Sequence, residues 1–251
     1  MIRIRNLTKR YDRTEALKGI NIDVEAGELF GFLGPNGAGK TTTLMILAGL
    51  LEPTSGSVEV AGFDVATQGL EVKRRLGYVP DRPYVYDKLT GRELLRLYGD
   101  LYGLERGRAE RQGERWLDIF GLQDKADELV EGYSHGMKQR IILSATLLHD
   151  PGVLVVDEPM VGLDPQGARL LKDLMTQRCK SGKTVLMSTH TLQVAEETCD
   201  RVGIIHRGEI IAVGTTDELR RKMANDGASL EEIFLAMTGD GGQSMIEELR
   251  G

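Results

Sequence analysis

Gly34-Pro35-Asn36-Gly37-Ala38-Gly39-Lys40-Thr41 meets every fixed position of the pattern G-x-x-x-x-G-K-[ST]. Gly34, Gly37 and Gly39 let the backbone turn tightly, so that successive N–H groups converge on an anion such as a phosphate. Lys40 has the reach for the β- and γ-phosphates of a nucleotide, and the Thr41 hydroxyl suits Mg²⁺. The candidate nucleotide-binding set is Gly34, Asn36, Gly37, Ala38, Gly39, Lys40, Thr41 and Thr42. The flanks agree with this reading. Leu29-Phe30-Gly31-Phe32-Leu33 has the apolar run of a buried strand, and Thr41 to Ala48 reads as a helix stopped by Gly49. A helix beginning at the loop adds the partial positive charge of its N-terminus.

Further out, strands lie on either side of the loop. Ile2 and Ile4 alternate with arginines, Ile20, Ile22 and Val24 alternate with polar residues, and a strand from Val58 to Ala61 follows the turn Pro53-Thr54-Ser55-Gly56. Apolar spacing over Arg92–Leu101 and Trp116–Phe120 predicts a helical lobe from about 83 to 148, with Glu105 to Arg115 as a solvated face. Val153–Val156 and Thr184–Met187 read as short buried strands. Asp164-Pro165 reads as a helix start, and Val202–Ile205 with Ile210–Val213 as a hairpin. Ser229 with Glu232 reads as a capping box for a last helix. The expected fold is α/β: a P-loop core on a mostly parallel sheet, with an N-terminal antiparallel β subdomain and a helical lobe. The expected division is an ATPase domain over 1–220, the lobe inserted in it, and a short helical tail over 221–251.

The bulk properties exclude several classes. The 251 residues carry 41% hydrophobic and 28% charged side chains, which suits a globular domain. A net charge of −6 argues against a nucleic-acid partner, whose footprint is basic. Two cysteines, Cys179 and Cys199, give no disulfide framework or metal pattern, so a reducing cytosol is the default. No secretory leader opens at Met1, and no apolar run approaches the roughly 20 residues that span a bilayer.

Two more segments narrow the function. Val153-Leu154-Val155-Val156-Asp157-Glu158 is an apolar strand delivering two carboxylates, the Walker B arrangement. Asp157 suits Mg²⁺ beside Thr41, and Glu158, one step further, can polarise an attacking water. Tyr133-Ser134-His135-Gly136-Met137-Lys138-Gln139-Arg140 holds a Ser-x-Gly turn opening a helix from Met137 to His149, which makes a second anion site.

With these residues in this order, the chain resembles the ATP-binding cassette (ABC) ATPases from Ile2 to about Val213. The resemblance implies ATP and Mg²⁺ as ligands and a head-to-tail dimer with an identical or different cassette. In it, Ser134 and Gly136 complete the partner's site. Gly162-Leu163-Asp164 matches the D-loop, His190 the switch histidine, and Tyr11 the aromatic that stacks on adenine. The catalytic set it implies is Lys40, Glu158 and His190, with Thr41, Asp81 and Asp157 on the metal side. Asp81 departs from the family pattern, since Gln is usual at this Q-loop position. His135 and Met137 stand where many members have Gly and Gln, and Val161 where Ser or Thr is common.

The single cassette and the stretch Leu230 to Gly239 resemble ATPase subunits of bacterial export systems with a separate permease. That implies a peripheral position at the cytoplasmic face of the cell membrane, with docking near Arg82-Pro83-Tyr84-Val85-Tyr86. Two rival readings are a soluble ABC ATPase acting on nucleic acid or ribosomes, and a weakly catalytic regulatory subunit.

Overall fold

The computed structural model describes residues 1–82, 84–222 and 234. The expected helix cap at Ser229, the Leu230–Gly239 stretch apart from Phe234, and most of the tail lie outside the described residues. In chain order the first elements are β1 (Ile2–Tyr11), β2 (Thr14–Val24), β3 (Leu29–Leu33), α1 (Lys40–Leu47), β4 (Ser55–Val60), β5 (Phe63–Asp64), α2 (Gly69–Arg75) and β6 (Leu76–Val79). The lobe follows as α3 (Gly91–Leu101), α4 (Arg106–Ile119) and α5 (His135–Leu147). The chain then returns through β7 (Val153–Asp157), α6 (Pro165–Lys180), β8 (Thr184–Thr189), α7 (Leu192–Thr198), β9 (Arg201–His206), β10 (Glu209–Gly214) and α8 (Thr216–Lys222).

Two sheets form. The first, ordered β2-β1-β4-β5, is antiparallel throughout. Ile2 and Ile4 are buried while Arg3 and Arg5 are exposed, the period-two pattern of a sheet with one wet face. The second is ordered β10-β9-β3-β8-β7-β6. Its strands from β9 to β6 are parallel, and β10 closes one edge as an antiparallel hairpin arm. β3, β7 and β8 are buried along their whole length, because helices or the other sheet cover both faces. The expected α/β architecture is thus the one observed. α1 lies between the two sheets, touching β2, β4 and β7, with Leu44, Ile46 and Leu47 fully buried.

A second apolar cluster joins the lobe to the parallel sheet. Leu94, Trp116, Leu117 and Ile141 pack with Leu154 and Val156 of β7. α3 opens with a capping box of Thr90 and Glu93. α4 keeps the charged residues from Glu105 to Arg115 exposed, in line with the solvated face expected of them. Glu105 is its cap, and Ala109 and Gly113 are buried. A Cβ on Gly99 would come within 2.8 Å of Ala109 Cβ, so small residues set how closely α3 and α4 approach. α5 begins at His135, two residues before its expected start, because Ser134 Oγ accepts from Met137 N and makes Ser134 the cap. β8 runs two residues beyond Met187, since pairing continues through Ser188 and Thr189.

Both cysteines are free thiols. Burial pushes Cys179 up to about 11 and Cys199 up to about 12. Cys199 Sγ fills the space beside Gly31, where an added Cβ would lie 2.8 Å from it. Among the described residues no helix is long and apolar enough to cross a membrane.

Candidate functional site

The loop Gly34–Gly39 runs from the end of β3 into α1, at the carboxyl edge of the parallel sheet, where open α/β folds place their ligands. Its glycines are needed for two reasons. Gly37 and Gly39 have φ of 80° and 112°, a region costly for other residues. Gly34 has no room for a side chain, because a Cβ there would lie 2.4 Å from the carbonyl oxygen of Ile205 on β9. Gly34→Ala is therefore expected to displace the loop and to cost about 1–3 kcal/mol of stability. Thermal unfolding with and without nucleotide checks this; an unchanged melting temperature and unchanged nucleotide stabilisation would refute it.

Lys40 is only 6% exposed, and its Nζ donates to the carbonyl oxygens of Gly34 at 2.7 Å and Pro35 at 3.3 Å. The same ammonium lies 3.5 Å from Glu158 Oε1. Thr41 Oγ1 donates to Asp157 Oδ2 at 2.8 Å, so the first helical residue after Lys40 meets the end of β7. Asp157 Oδ1 accepts from the hydroxyl of Ser188, and Ser188 Oγ in turn accepts from Glu158 N at 3.1 Å. This pairing exists because β8 lies beside β7 with Asp157 opposite Ser188.

Glu158 has φ 47°, in the left-handed region, which turns its side chain back over the loop. Its Oε2 lies 2.9 Å from His190 Nδ1 and also accepts from His190 N at 3.3 Å. Its Oε1 is buried with no hydrogen-bond partner, leaving lone pairs for an incoming water. A cavity of about 180 Å³ over the loop is lined by Ala16, Asn36, Lys40, Thr42, Asp81 and Glu158. A neighbouring cavity of about 530 Å³ is lined by Thr41, Asp157, Asp81 and Tyr78 among others. Asp81 thus borders both. Burial, with Asp157 and Asp81 nearby, raises the Tyr78 phenol above its usual range. A hydroxyl and two carboxylates around shared space are the hard oxygen donors that Mg²⁺ takes.

Lys40, Thr41, Asp157, Glu158 and His190 are therefore brought together, and Asp81 shares their cavities. Ser134 and Gly136 line neither cavity. They stand at the start of α5, with Gly136 against the backbone of Gly162. Tyr11 ends β1, 44% exposed, with Lys9 Nζ 5.0 Å from its ring centre. Ser188 and Ala16 were not singled out from the sequence. A small polar residue closing an apolar strand just before His190 was the available signal for Ser188. Ala16 gave none, because its place follows from how β2 packs on the loop.

A glycine-rich loop between a buried strand and a helix, with a hydroxyl–carboxylate pair where β7, two strands away in the same sheet, ends, defines a P-loop nucleoside triphosphatase. The chain belongs to the ABC transporter family, whose description "ABC transporter" matches residues 17–161. It is an ATP-binding, ATP-hydrolysing subunit of that family. The linearmycin resistance ATP-binding protein LnrL of Bacillus subtilis (strain 168) is 38% identical over 226 residues, 90% of this chain and 73% of LnrL. A solved ATP-binding subunit of an ABC transporter superposes with a TM-score of 0.90 at 34% identity, covering 95% of this chain and 99% of the other. The ATP-binding cassette MJ0796, solved as a dimer in a post-hydrolysis state with ADP and Pi, gives a TM-score of 0.79 at 25% identity, covering 86% and 98%.

Proposed function

We propose that this chain drives a separate transmembrane permease, in an exporter, as one half of a head-to-tail pair of cassettes. The observation that carries the permease reading is an exposed apolar face at the edge of the lobe. Tyr84 is 94% exposed, and Tyr86, Leu50, Leu70 and Leu101 are also exposed. All but Tyr84 line a groove of about 620 Å³ shared by α2 and α3. Exposed aromatic and aliphatic clusters mark docking sites. The exposure of both tyrosines favours docking over packing within their own lobe. LnrL is named for linearmycin resistance, which supports export, and the dimeric form of MJ0796 supports pairing.

Within the pair, the loop amides and Lys40 hold phosphates, and Tyr11 stacks on adenine. Thr41 and Asp157 would hold Mg²⁺, with Asp81 beside them; when bound, the ion supplies charge neutralisation at the β- and γ-oxygens. Glu158 takes a proton from the attacking water while His190 fixes its carboxylate. Ser134 and Gly136 complete the partner's site. Catalysis on this reading is mainly positioning and charge stabilisation.

Purifying the tagged chain from gently solubilised native membranes tests the partner. Co-purification of a polytopic membrane protein supports the reading, and a ribosome, nucleic acid or soluble partner overturns it. Asp81 has its own test. Asp81→Asn is expected to raise the Mg²⁺ concentration for half-maximal ATP hydrolysis by about tenfold. An unchanged Mg²⁺ dependence removes Asp81 from the metal side.

A further inference from the structure

We infer that His135 is a positioning residue that ties the signature turn to the D-loop of its own chain and thereby links the two ATP sites of the pair. The inference rests on the head-to-tail reading above. The His135 ring lies directly against Gly162, where an added Cβ would come within 2.2 Å of Cδ2 and 2.8 Å of Nε2. Gly162, with φ 79°, presents bare backbone to the ring. Gly136 adds to the contact, since a Cβ there would lie 2.9 Å from the Gly162 carbonyl oxygen. One turn along α5, Arg140 Nη2 donates to Asp164 Oδ1 at 2.7 Å, and the same oxygen caps α6 through Gly167 N. The start of α5, residues 162–164 and the start of α6 therefore form one block.

That block reaches this chain's own catalytic segment. Val161 N donates to the Glu158 carbonyl at 3.1 Å, and Gly162 follows directly. A shift of the signature turn as it meets phosphate on the partner would be passed through His135 and Gly162 to the backbone of Glu158. Packed elements of this kind hold discrete arrangements and do not bend smoothly. Gln139 lies just behind on α5, 1% exposed, with neither amide nitrogen nor oxygen hydrogen-bonded. A buried amide without partners is costly, so the start of α5 has polar groups that a shifted arrangement would pair.

ATP hydrolysis by the full chain, measured against ATP concentration for wild type, His135→Ala and His135→Phe, tests this. Wild type is expected to show a Hill coefficient above one. His135→Ala is expected to lower it toward one and to lose about fivefold in turnover, with fluorescent-ATP binding unchanged. His135→Phe keeps a ring on Gly162 without a nitrogen and is expected to retain cooperativity. Wild-type behaviour in His135→Ala overturns the inference. So does a loss in His135→Phe equal to that in His135→Ala, which would assign the nitrogen to the nucleotide. A wild-type Hill coefficient of one overturns this inference and leaves the pairing reading standing, whereas a chain that stays monomeric by light scattering when saturated with ATP overturns the pairing reading itself.

Discussion

Replacing Glu158 with Gln is expected to lower ATP turnover by about 10²–10⁴-fold while nucleotide binding persists. The substitution keeps most of the local geometry, although it also removes the ion pair of Oε1 with Lys40 Nζ at 3.5 Å. Gln keeps the shape of Glu, and its oxygen can still accept from His190 N, as Oε2 does now. The backbone at φ 47° carries the same strain for either residue. What is lost is the carboxylate charge at Oε1, the oxygen with no hydrogen-bond partner of its own. Phosphate release at saturating ATP, beside a binding titration, separates the two effects. Turnover equal to wild type would remove Glu158 from the chemistry, and no measurable turnover in the wild type would return the regulatory-subunit reading.

Lys40→Ala is expected to act on binding. Nζ donates to the carbonyls of Gly34 and Pro35, so the ammonium is buried and aimed along the loop. Phosphate oxygens offer it stronger, charge-assisted bonds than those carbonyls. Removing a hydrogen bond to a charged group of about 1.5–3 kcal/mol corresponds to roughly 10–150-fold in ATP affinity. AMP, which lacks the β- and γ-phosphates, should lose less. Equal affinity for ATP in the variant would refute the phosphate role of Lys40. The pair of variants thus divides the site into a part that binds and a part that reacts.

Much of this was legible because it is local in the chain. The phosphate loop, the Asp157-Glu158 step, the Asp164 cap and the hairpin each lie within a few residues, so spacing alone reveals them. The lobe was legible as helical from the apolar period of Arg92–Leu101, which became α3. Strand order was not. Nothing in the sequence says that β8 inserts between β3 and β7, yet that insertion sets Ser188 against Asp157 and His190 beside Glu158. The need for glycine at position 34 was visible as a motif, but its cause, the Ile205 carbonyl, comes from a strand some 170 residues away along the chain. The contact of His135 with Gly162 is not legible in the sequence for the same reason. The sequence showed only that His135 departs from the usual glycine.

The two half-buried thiols have a practical consequence. Cys179 and Cys199 are the chain's only cysteines, and at neutral pH almost none of either is thiolate, the form that alkylating reagents attack. The folded protein is thus a near-silent background for maleimide labelling. A cysteine introduced at the outermost aromatic, Tyr84, would be the fast-reacting site, and its protection would report contact at that face without first removing the native thiols.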